Sequence, residues 1–275
     1  MKCVDFNDIE PQETFGHTSK GNQLKWLYHN YWYKADHMGY EGLAEAIISE
    51  LLGKSTIRFP YVQYNYTHIL YHGRNFNGCM SADFTAGNSS LKLIPLEKLY
   101  RSYTGGSLAI DTARQRELKN QIKFLVDFVE RNTGLQNFGA YLTTMLEIDA
   151  FFLNEDRHTN NIAVLYNEET DGYDLCPLFD NGLALLADIA LDFPLERPIE
   201  DCLKAVEAKP FSRRFDDQLD AAEELYGIQI HFRFTGNDVK ALIDSHREIY
   251  GDEICNRCES VIRRQMQHYS YLMKP

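Results

Sequence analysis

The chain has 275 residues and a mass of 31.9 kDa, with 44% hydrophobic and 25% charged residues, as in an ordinary globular protein. This length allows one large domain or two lobes that share a cleft. The formal net charge of −12 argues against direct nucleic-acid binding, because phosphate contacts need clustered lysine and arginine side chains.

The sequence contains no signal for a membrane. No apolar run approaches the roughly 20 residues of a membrane helix, and the start, Met1–Asp5, does not resemble a signal peptide. We therefore expect no membrane span and a cytoplasmic location, with secretion by a route that needs no signal peptide as the alternative. In the cytoplasm the six cysteines are expected to be reduced.

The first 86 residues predict a strand-rich region around one helix. Aromatic and aliphatic residues in Gln23–Asp36 favour two strands, joined by a turn at His29 and Asn30. Apolar residues at helical spacing predict a helix over Glu41–Leu52, and Gly53 is expected to cap its C-terminus. Three further strands are predicted: Tyr61–Thr67, Ile69–Gly73 and Gly78–Phe84.

The chain beyond the polar, turn-prone linker Ala86–Ser90 is predicted to be mainly helical. The helical segments are Pro95–Tyr103, Asp111–Asn132, Asn137–Asn154, Arg197–Ala208, Phe215–Tyr226, Asn237–Ile249 and Glu253–Met273. One hairpin, Ile162–Tyr166 with Tyr173–Phe179, interrupts them. We therefore predict an α+β fold of two lobes, a β-rich N-lobe over residues 1–86 and a mostly helical C-lobe over residues 87–275. Ligand sites commonly lie between such lobes.

Three polar residues of the predicted C-lobe have the composition of a phosphoryl-transfer site. Asp156 and Asn161 follow the helix Asn137–Asn154, and Asp180 follows the predicted strand Tyr173–Phe179. One carboxylate can orient and deprotonate an acceptor hydroxyl, while a carboxamide and a second carboxylate hold Mg²⁺ against nucleotide phosphates. The alternative is an ordinary polar loop after a helix, which the combination of all three residues with a hairpin disfavours.

A polar loop in the N-lobe, Gly16–Gly21, can bind phosphate oxygens through its backbone N–H groups. It is not a Walker loop, because Asn22 and Gln23 replace the required lysine and hydroxyl residue and because a strand follows instead of a helix. Taken alone, the loop is better explained as an ordinary hairpin turn, and only the motifs that follow it favour a phosphate-binding loop.

Lys34 ends the second predicted strand, just before the helix that carries Glu41 and Glu45. A strand lysine held by a helix glutamate and reaching the nucleotide phosphates is what a kinase N-lobe requires. Glu41 is the preferred partner because it lies nearer the helix start, with Glu45 as the second choice. The alternative for Lys34 is a solvated charge at the edge of a sheet.

The stretch Asn154–Asn161 resembles the N-x-D-R-H-x-x-N signature of HipA-like serine/threonine protein kinases, and Pro177–Asp180 resembles the P-L-[YF]-D motif of that family. The short segment before the glycine loop is similar to the stand-alone members of the family. The resemblance implies a two-lobed protein-kinase-like fold with a catalytic hairpin in the C-lobe, and an ATP- and Mg²⁺-dependent transfer to a protein serine or threonine.

The resemblance also implies roles for single residues. Asp156 would be the catalytic base, Lys34 would bind the α- and β-phosphates with Glu41 as its partner, and Asn161 and Asp180 would bind Mg²⁺. The glycine-loop residues that would cover the phosphates are Gly16, Ser19, Lys20 and Gly21, and Ser19 would be open to autophosphorylation. The segment Met80–Phe84, with Ser81 and Asp83, would be the hinge whose backbone meets adenine.

The partner implied by the resemblance is a protein substrate, and because the family includes toxins, a toxin or effector role and an antitoxin-like partner are open. Two alternatives remain for the activity. One is a lipid or small-molecule kinase on the same scaffold, and the other is an inactive module that binds a nucleotide or a partner.

Overall fold

The computed structural model describes residues 3–12 and 23–274 of the chain. In these ranges the N-terminal part forms a five-stranded sheet in the order β1-β4-β5-β3-β2, in which β1 runs parallel to β4 and the other neighbours are antiparallel. The strands are β1 (Cys3–Asp5), β2 (Lys25–Tyr28), β3 (Tyr31–Ala35), β4 (Tyr64–Tyr71) and β5 (Arg74–Ala82).

The predicted hairpin between β2 and β3 is confirmed, with Trp26 opposite Tyr33. Its turn residues His29 and Asn30 have φ values of 50° and 65°. Positive φ at both central residues is the backbone of a primed turn, whose twist matches that of the strands. The register places Lys34 on an interior strand, beside Cys79 of β5.

The prediction of two strands over Tyr61–Thr67 and Ile69–Gly73 is wrong, because β4 runs without a break from Tyr64 to Tyr71. His68 lies inside that strand, and the turn comes at His72 and Gly73, both of which have positive φ. His68, the residue between the two predicted strands, pairs with Asn77 of β5, so the ladder continues through it.

The helix α1 (Glu41–Leu52) has the predicted bounds and is buried along almost its whole length. It can approach the sheet closely because two glycines face each other: a Cβ on Gly42 would lie 2.7 Å from the Cα of Gly78. Gly53 follows the helix as predicted, but its φ of −61° is helical and not left-handed. The close packing of α1 brings its glutamates next to β3.

The C-terminal part contains a second, three-stranded sheet in the order β6-β7-β8. Its strands are β6 (Leu91–Pro95), β7 (Ala163–Asn167) and β8 (Gly172–Leu175), and both pairings are antiparallel. The predicted hairpin is therefore confirmed as β7–β8, although β8 is shorter than expected. The strand β6 was not predicted, and its pairing with β7 is what makes Leu91–Pro95 a strand.

The helices of the described C-terminal part are α2 (Leu96–Thr104), α3 (Leu108–Ala113), α4 (Leu118–Thr133), α5 (Phe138–Phe152), α6 (Ile199–Ala205), α7 (Phe215–Tyr226), α8 (Gly236–Asp244) and α9 (Arg247–His268, kinked at Gly251). The single helix predicted over Asp111–Asn132 is wrong, since the chain leaves helical geometry between α3 and α4. None of the helices in the described ranges is both long enough and apolar enough to cross a membrane.

The centre of the main core is α5, whose residues are buried on all sides except at Ala140. A helix that is apolar all round is expected to lie inside a protein, and here α4, α7 and α9 pack against it. The end of α5 is therefore firmly held, and the loop that begins at Leu153 starts from a fixed point. This fold matches the predicted α+β, two-lobed, kinase-like architecture.

Glu147 is a carboxylate in the middle of this core, with no exposed surface. Its two oxygens accept hydrogen bonds from the backbone N–H groups of Gln229 (2.8 Å) and Ile230 (3.1 Å). Burial raises the pKa of Glu147 to about 8, although these two N–H groups favour the ionised form.

We expect this group to make the stability of the protein depend on pH. An unfolded glutamate loses its proton near pH 4.5, whereas the folded protein holds it up to about pH 8. The stabilisation from this proton is therefore fully present below pH 4.5 and is lost as the pH rises to 8. Since one pKa unit corresponds to about 1.4 kcal/mol, the loss is of the order of a few kcal/mol.

Urea unfolding between pH 5 and pH 8 measures this slope. We expect Glu147→Gln to flatten it, and we expect the exposed matched control Glu253→Gln to leave it unchanged. Equal slopes in the wild type and in Glu147→Gln would contradict the assignment.

Candidate active site

Lys34 is the central cation of the site. Its Nζ lies 2.8 Å from Oε1 of Glu45 and 2.9 Å from Oδ1 of Asp180, so it joins the helix α1 to the segment after β8. Burial alone would lower the pKa of Lys34, but the carboxylates of Asp180 and Glu45 raise it well above its usual value. The amine is therefore protonated in the folded protein.

Glu45, and not Glu41, is the partner of Lys34, so the preferred sequence assignment is wrong and the second choice is correct. Glu41 is the first residue of α1, and its carboxylate accepts hydrogen bonds from the backbone N–H groups of His37, Met38 and Gly39. Because its carboxylate is bound to these backbone groups at the start of the helix, Glu41 is not free to pair with Lys34. Glu45, one turn later, is 1% exposed and faces β3.

The second oxygen of Glu45 connects the two parts of the chain. Its Oε2 accepts a hydrogen bond of 3.0 Å from the backbone N–H of Asn181, while Oε1 contacts Lys34. One buried carboxylate therefore positions both the lysine and the residue that follows Asp180.

Asp180 lies where the chain turns away from the hairpin, with a positive φ of 65°. The strand β8 ends at Leu175, and the following segment is held through backbone hydrogen bonds of Leu178 with Pro60 and Val62. Burial would raise the pKa of Asp180, but the ammonium of Lys34 outweighs it and holds the pKa far below its usual range. Asp180 therefore carries an ionised carboxylate at the base of the site.

Tyr64 is an additional residue at this site. Its hydroxyl lies 3.4 Å from Nζ of Lys34 and 3.5 Å from the backbone nitrogen of Asp180, and its ring lies 5.0 Å from the same Nζ. The side chain is almost completely buried. It therefore limits the positions that the Lys34 side chain can adopt.

Arg157 is 1% exposed and holds together, from inside the protein, the loop that carries Asp156 and Asn161. Two of its bonds form a bidentate pair with Asp149 of α5, at 2.8 and 3.0 Å. The others reach the carbonyl oxygens of Asn161 and Phe179 and the side-chain oxygen of Asn181. All five N–H donors of a guanidinium are thereby used, and the two segments that carry Asp156 and Asp180 are fixed relative to one another.

Asp149 shows how this arrangement depends on charge pairing. It is completely buried, and burial raises its pKa, while the guanidinium of Arg157 acts in the opposite direction. The side chain of Asn154 adds a hydrogen bond of 2.8 Å to its Oδ1. A carboxylate buried at this depth requires such partners.

Asp156 and Asn161 lie side by side, as the sequence spacing indicated. The Nδ2 group of Asn161 donates to the carbonyl oxygen of Asp156 at 2.9 Å and lies 3.4 Å from its Oδ2. Asp156 has two further neighbours that the sequence did not reveal: Nζ of Lys209 at 3.4 Å from Oδ1, and Nε2 of His158 at 3.9 Å from Oδ2.

The residues fit a divalent ion of the Mg²⁺ type by the chemistry of their donor atoms. The amide nitrogen of Asn161 is used by Asp156, so its oxygen is the atom that can face a ligand, and Asp180 supplies an ionised carboxylate. Hard oxygen donors of this kind are the ligands that Mg²⁺ prefers.

A separate acidic cluster lies nearby, and it does not include the predicted ligands. Carboxylate oxygens of Glu155, Asp188 and Asp192 lie within 4.8 Å of one another. Acidic groups of this kind are common without a bound ion, so we assign no site to them.

The predicted hinge residues belong to the end of β5 and the turn that follows. Ser81 is a buried residue of β5, opposite Trp32 and Tyr64. The backbone nitrogen of Asp83 donates to the carbonyl of Asn30, and its carboxylate accepts bonds from Thr85. The predicted phosphate-loop residues Gly16, Ser19, Lys20 and Gly21 lie outside the described residues.

Sequence reasoning missed Tyr64 and Lys209 as side chains of the site. It also missed that Arg157 holds the segments of the site together. Tyr64 and Lys209 are far in sequence from the motif, and no local pattern marks them. Arg157 is part of the motif itself. Its position just after the buried helix α5 was the available signal that its side chain has a structural role.

No protein-family model matches the sequence, and no curated protein matches it either. Among solved structures, the chain is similar to the proinflammatory kinase CtkA of Helicobacter pylori, with a TM-score of 0.62 and 16% sequence identity. The alignment covers 97% of this chain and 94% of the CtkA chain. At this identity the similarity shows the fold alone, and it agrees with the two-lobed, kinase-like architecture of the described residues.

Proposed function

We propose that this protein is an ATP- and Mg²⁺-dependent serine/threonine protein kinase of the HipA-like type. The observation that carries the proposal is the meeting of Lys34, Glu45 and Asp180 within hydrogen-bond distance, although 146 residues separate the lysine from the aspartate. A lysine held by a helix glutamate beside a metal-binding carboxylate is the arrangement that kinases need for phosphoryl transfer.

In this proposal Asp156 is the catalytic base and Lys34 binds the α- and β-phosphates. The oxygen of an acceptor hydroxyl attacks the γ-phosphorus, the bond to the bridging oxygen breaks, and ADP leaves with the electron pair. The acceptor proton passes to a carboxylate oxygen of Asp156. Most of the rate enhancement comes from positioning and from charge neutralisation, since little covalent chemistry falls to the protein.

Asn161 and Asp180 would hold Mg²⁺, which when bound neutralises charge on the phosphates. The low pKa of Asp180 supports this role, because the carboxylate needs no deprotonation before it binds a cation. Arg157 supports it as well, since it keeps the segments of both ligands in register.

The N-lobe would supply the rest of the nucleotide site. We propose that the backbone of Met80–Phe84, including Ser81 and Asp83, contacts adenine, and that Gly16, Ser19, Lys20 and Gly21 cover the phosphates. The lobe boundary is proposed at residues 86 and 87, a choice supported by the pairing of Leu91–Pro95 with the strand β7 of the C-lobe. Autophosphorylation of Ser19 belongs to the same proposal.

The proposed acceptor is a protein and the proposed location is the cytoplasm; the chain carries a net charge of −12. That charge disfavours docking on anionic membranes, which makes a lipid kinase the weaker alternative. A toxin or effector role with an antitoxin-like partner rests on the family resemblance alone. An inactive binding module is disfavoured by the joint presence of Lys34, Asp156, Asn161 and Asp180.

Incubation of the protein with γ-labelled ATP tests the proposal directly. We expect label on the protein itself or on added protein substrates with Mg²⁺, and no label when the metal is removed with a chelator. Site mapping by mass spectrometry then shows whether Ser19 carries the phosphate. Absence of both ATP binding and transfer would overturn the proposed function, whereas label only on a lipid or a small molecule would favour that alternative.

The assignment of Glu45 gives a sharper prediction, because Glu41 lies one turn away on the same helix. We expect Glu45→Gln to lower kcat/KM by about tenfold or more, since the loss of a hydrogen-bonded charge costs about 1.5–3 kcal/mol. Glu41→Gln should instead mainly lower the free energy of unfolding, by about 1 kcal/mol, because its carboxylate serves the backbone at the helix start. Steady-state kinetics and urea unfolding of both variants measure the difference, and the reverse ranking would restore Glu41 as the partner.

A further inference from the structure

Lys209 lies beside Asp156 although it comes from a distant part of the chain. It belongs to the loop between α6 and α7, and its Nζ is 3.4 Å from Oδ1 of Asp156. The Asp156 side chain is 17% exposed and that of Lys209 is 43% exposed. An ion pair as open to water as this contributes little to stability, so stability alone does not account for its position.

The loop that carries Lys209 is held by a completely buried glutamine, Gln218 of α7. Its Nε2 group donates to the carbonyl oxygen of Lys209 at 3.0 Å. Its Oε1 atom accepts from the backbone nitrogens of Phe211 (3.3 Å) and Ser212 (3.4 Å). The buried side chain of Gln218 therefore fixes the backbone of Lys209, and the amine of Lys209 lies beside the carboxylate of Asp156.

Lys34 is not available for the same task. It is tied to Glu45 and Asp180 on the N-lobe side of the site, whereas Asp156 has Lys209 as its nearest described ammonium group. The two lysines thus serve different carboxylates of the same site.

We propose that Lys209 is a second catalytic cation, which holds Asp156 toward the acceptor and neutralises charge on the phosphoryl group during transfer. This inference rests on the proposed kinase function and adds a residue to it. Charge that is aimed at the transferring group accelerates the reaction without changing ground-state binding of the nucleotide. Gln218 is then a positioning residue that acts through Lys209.

The neighbours of Lys209 fit this location. It lines a shallow groove together with Glu155, Asp192, Phe193, Arg197, Ala205 and Glu207. Because the same amine contacts Asp156, an acceptor side chain bound in this groove would lie close to both charges.

Kinetics of Lys209→Ala and Lys209→Arg test the inference. We expect Lys209→Ala to lower kcat about a hundredfold and to leave the Kd for ATP unchanged. We expect Lys209→Arg to retain much of the wild-type rate, because arginine keeps the positive charge. Lys204→Ala is the matched control, because Lys204 is an exposed lysine of α6 whose nearest carboxylate, on Asp201, is 4.0 Å away. Its kcat should equal that of the wild type.

A double-mutant cycle with Gln218→Met separates positioning from general packing. If Gln218 acts through Lys209, Gln218→Met lowers kcat when it is made in the wild type, but it has no further effect when it is added to Lys209→Ala. Melting temperatures first show that the variants are folded. Lys209→Ala with an unchanged kcat, or a loss of rate that arginine does not restore, would overturn the inference and leave the kinase proposal intact. Failure of the wild type to transfer label would overturn both.

Discussion

Asp156→Asn is expected to lower kcat by about 10²–10⁴-fold, because the carboxamide cannot accept the proton of an acceptor hydroxyl. The affinity for ATP should stay close to that of the wild type, since Asp156 is not among the residues proposed to bind nucleotide or metal. The change is nearly isosteric, and the bond from Asn161 to the backbone carbonyl at position 156 does not depend on the side chain.

The measurement is single-turnover transfer from labelled ATP together with ATP binding by calorimetry. Asp174→Asn is a suitable control, because Asp174 is an exposed carboxylate on β8 in the same lobe. A rate for Asp156→Asn within a few-fold of the wild type would remove Asp156 as the base, while transfer by the wild type would still support a kinase.

Arg157→Gln is expected to have the largest effect on stability. The substitution leaves the buried carboxylate of Asp149 without its ion-pair partner, and breaking a buried pair in this way costs about 3–5 kcal/mol. This is a large fraction of the roughly 5–15 kcal/mol by which a folded protein is stable. Urea unfolding and the thermal midpoint measure the loss.

The chain contains a matched control for this prediction. Arg213 also contacts both oxygens of a carboxylate, that of Glu207, but this pair is exposed. Arg213→Gln should therefore leave the free energy of unfolding close to that of the wild type. Adding Asp149→Asn to Arg157→Gln should recover part of the lost stability, because the buried charge is then removed. Equal losses of stability for Arg157→Gln and Arg213→Gln would contradict the prediction, since burial of the ion pair would then have no energetic consequence.

The parts of the fold that the sequence predicted well are those with strong local signals. The hairpin at His29 and Asn30 has a turn residue pattern and alternating aromatic side chains, and the helix Glu41–Leu52 has a continuous apolar face. The candidate site was predicted from the order of Asp156, Asn161 and Asp180, because their spacing puts two of them in the loop after a helix and the third just beyond a hairpin.

The errors occurred where a tertiary contact decides the structure. The strand β6 was missed because half of its surface faces solvent and only its pairing with β7 makes it a strand. Glu41 was preferred over Glu45 because distance from the helix start was the only guide, whereas the backbone N–H groups of residues 37–39 compete for its carboxylate. Lys209 could not be found at all, since a buried glutamine of another helix delivers it to the site.

The shared carboxylate of Glu45 has a consequence for control of the protein. Because one side chain contacts both Lys34 and the backbone of Asn181, a rotation of α1 away from the sheet would release both contacts at once. In the proposed kinase, the position of α1 and the affinity for a nucleotide are then thermodynamically linked, and the linkage acts equally in both directions. In the proposed kinase, a molecule that holds α1 against the sheet would raise the affinity for a nucleotide by a certain factor. A bound nucleotide would raise the affinity for that molecule by the same factor.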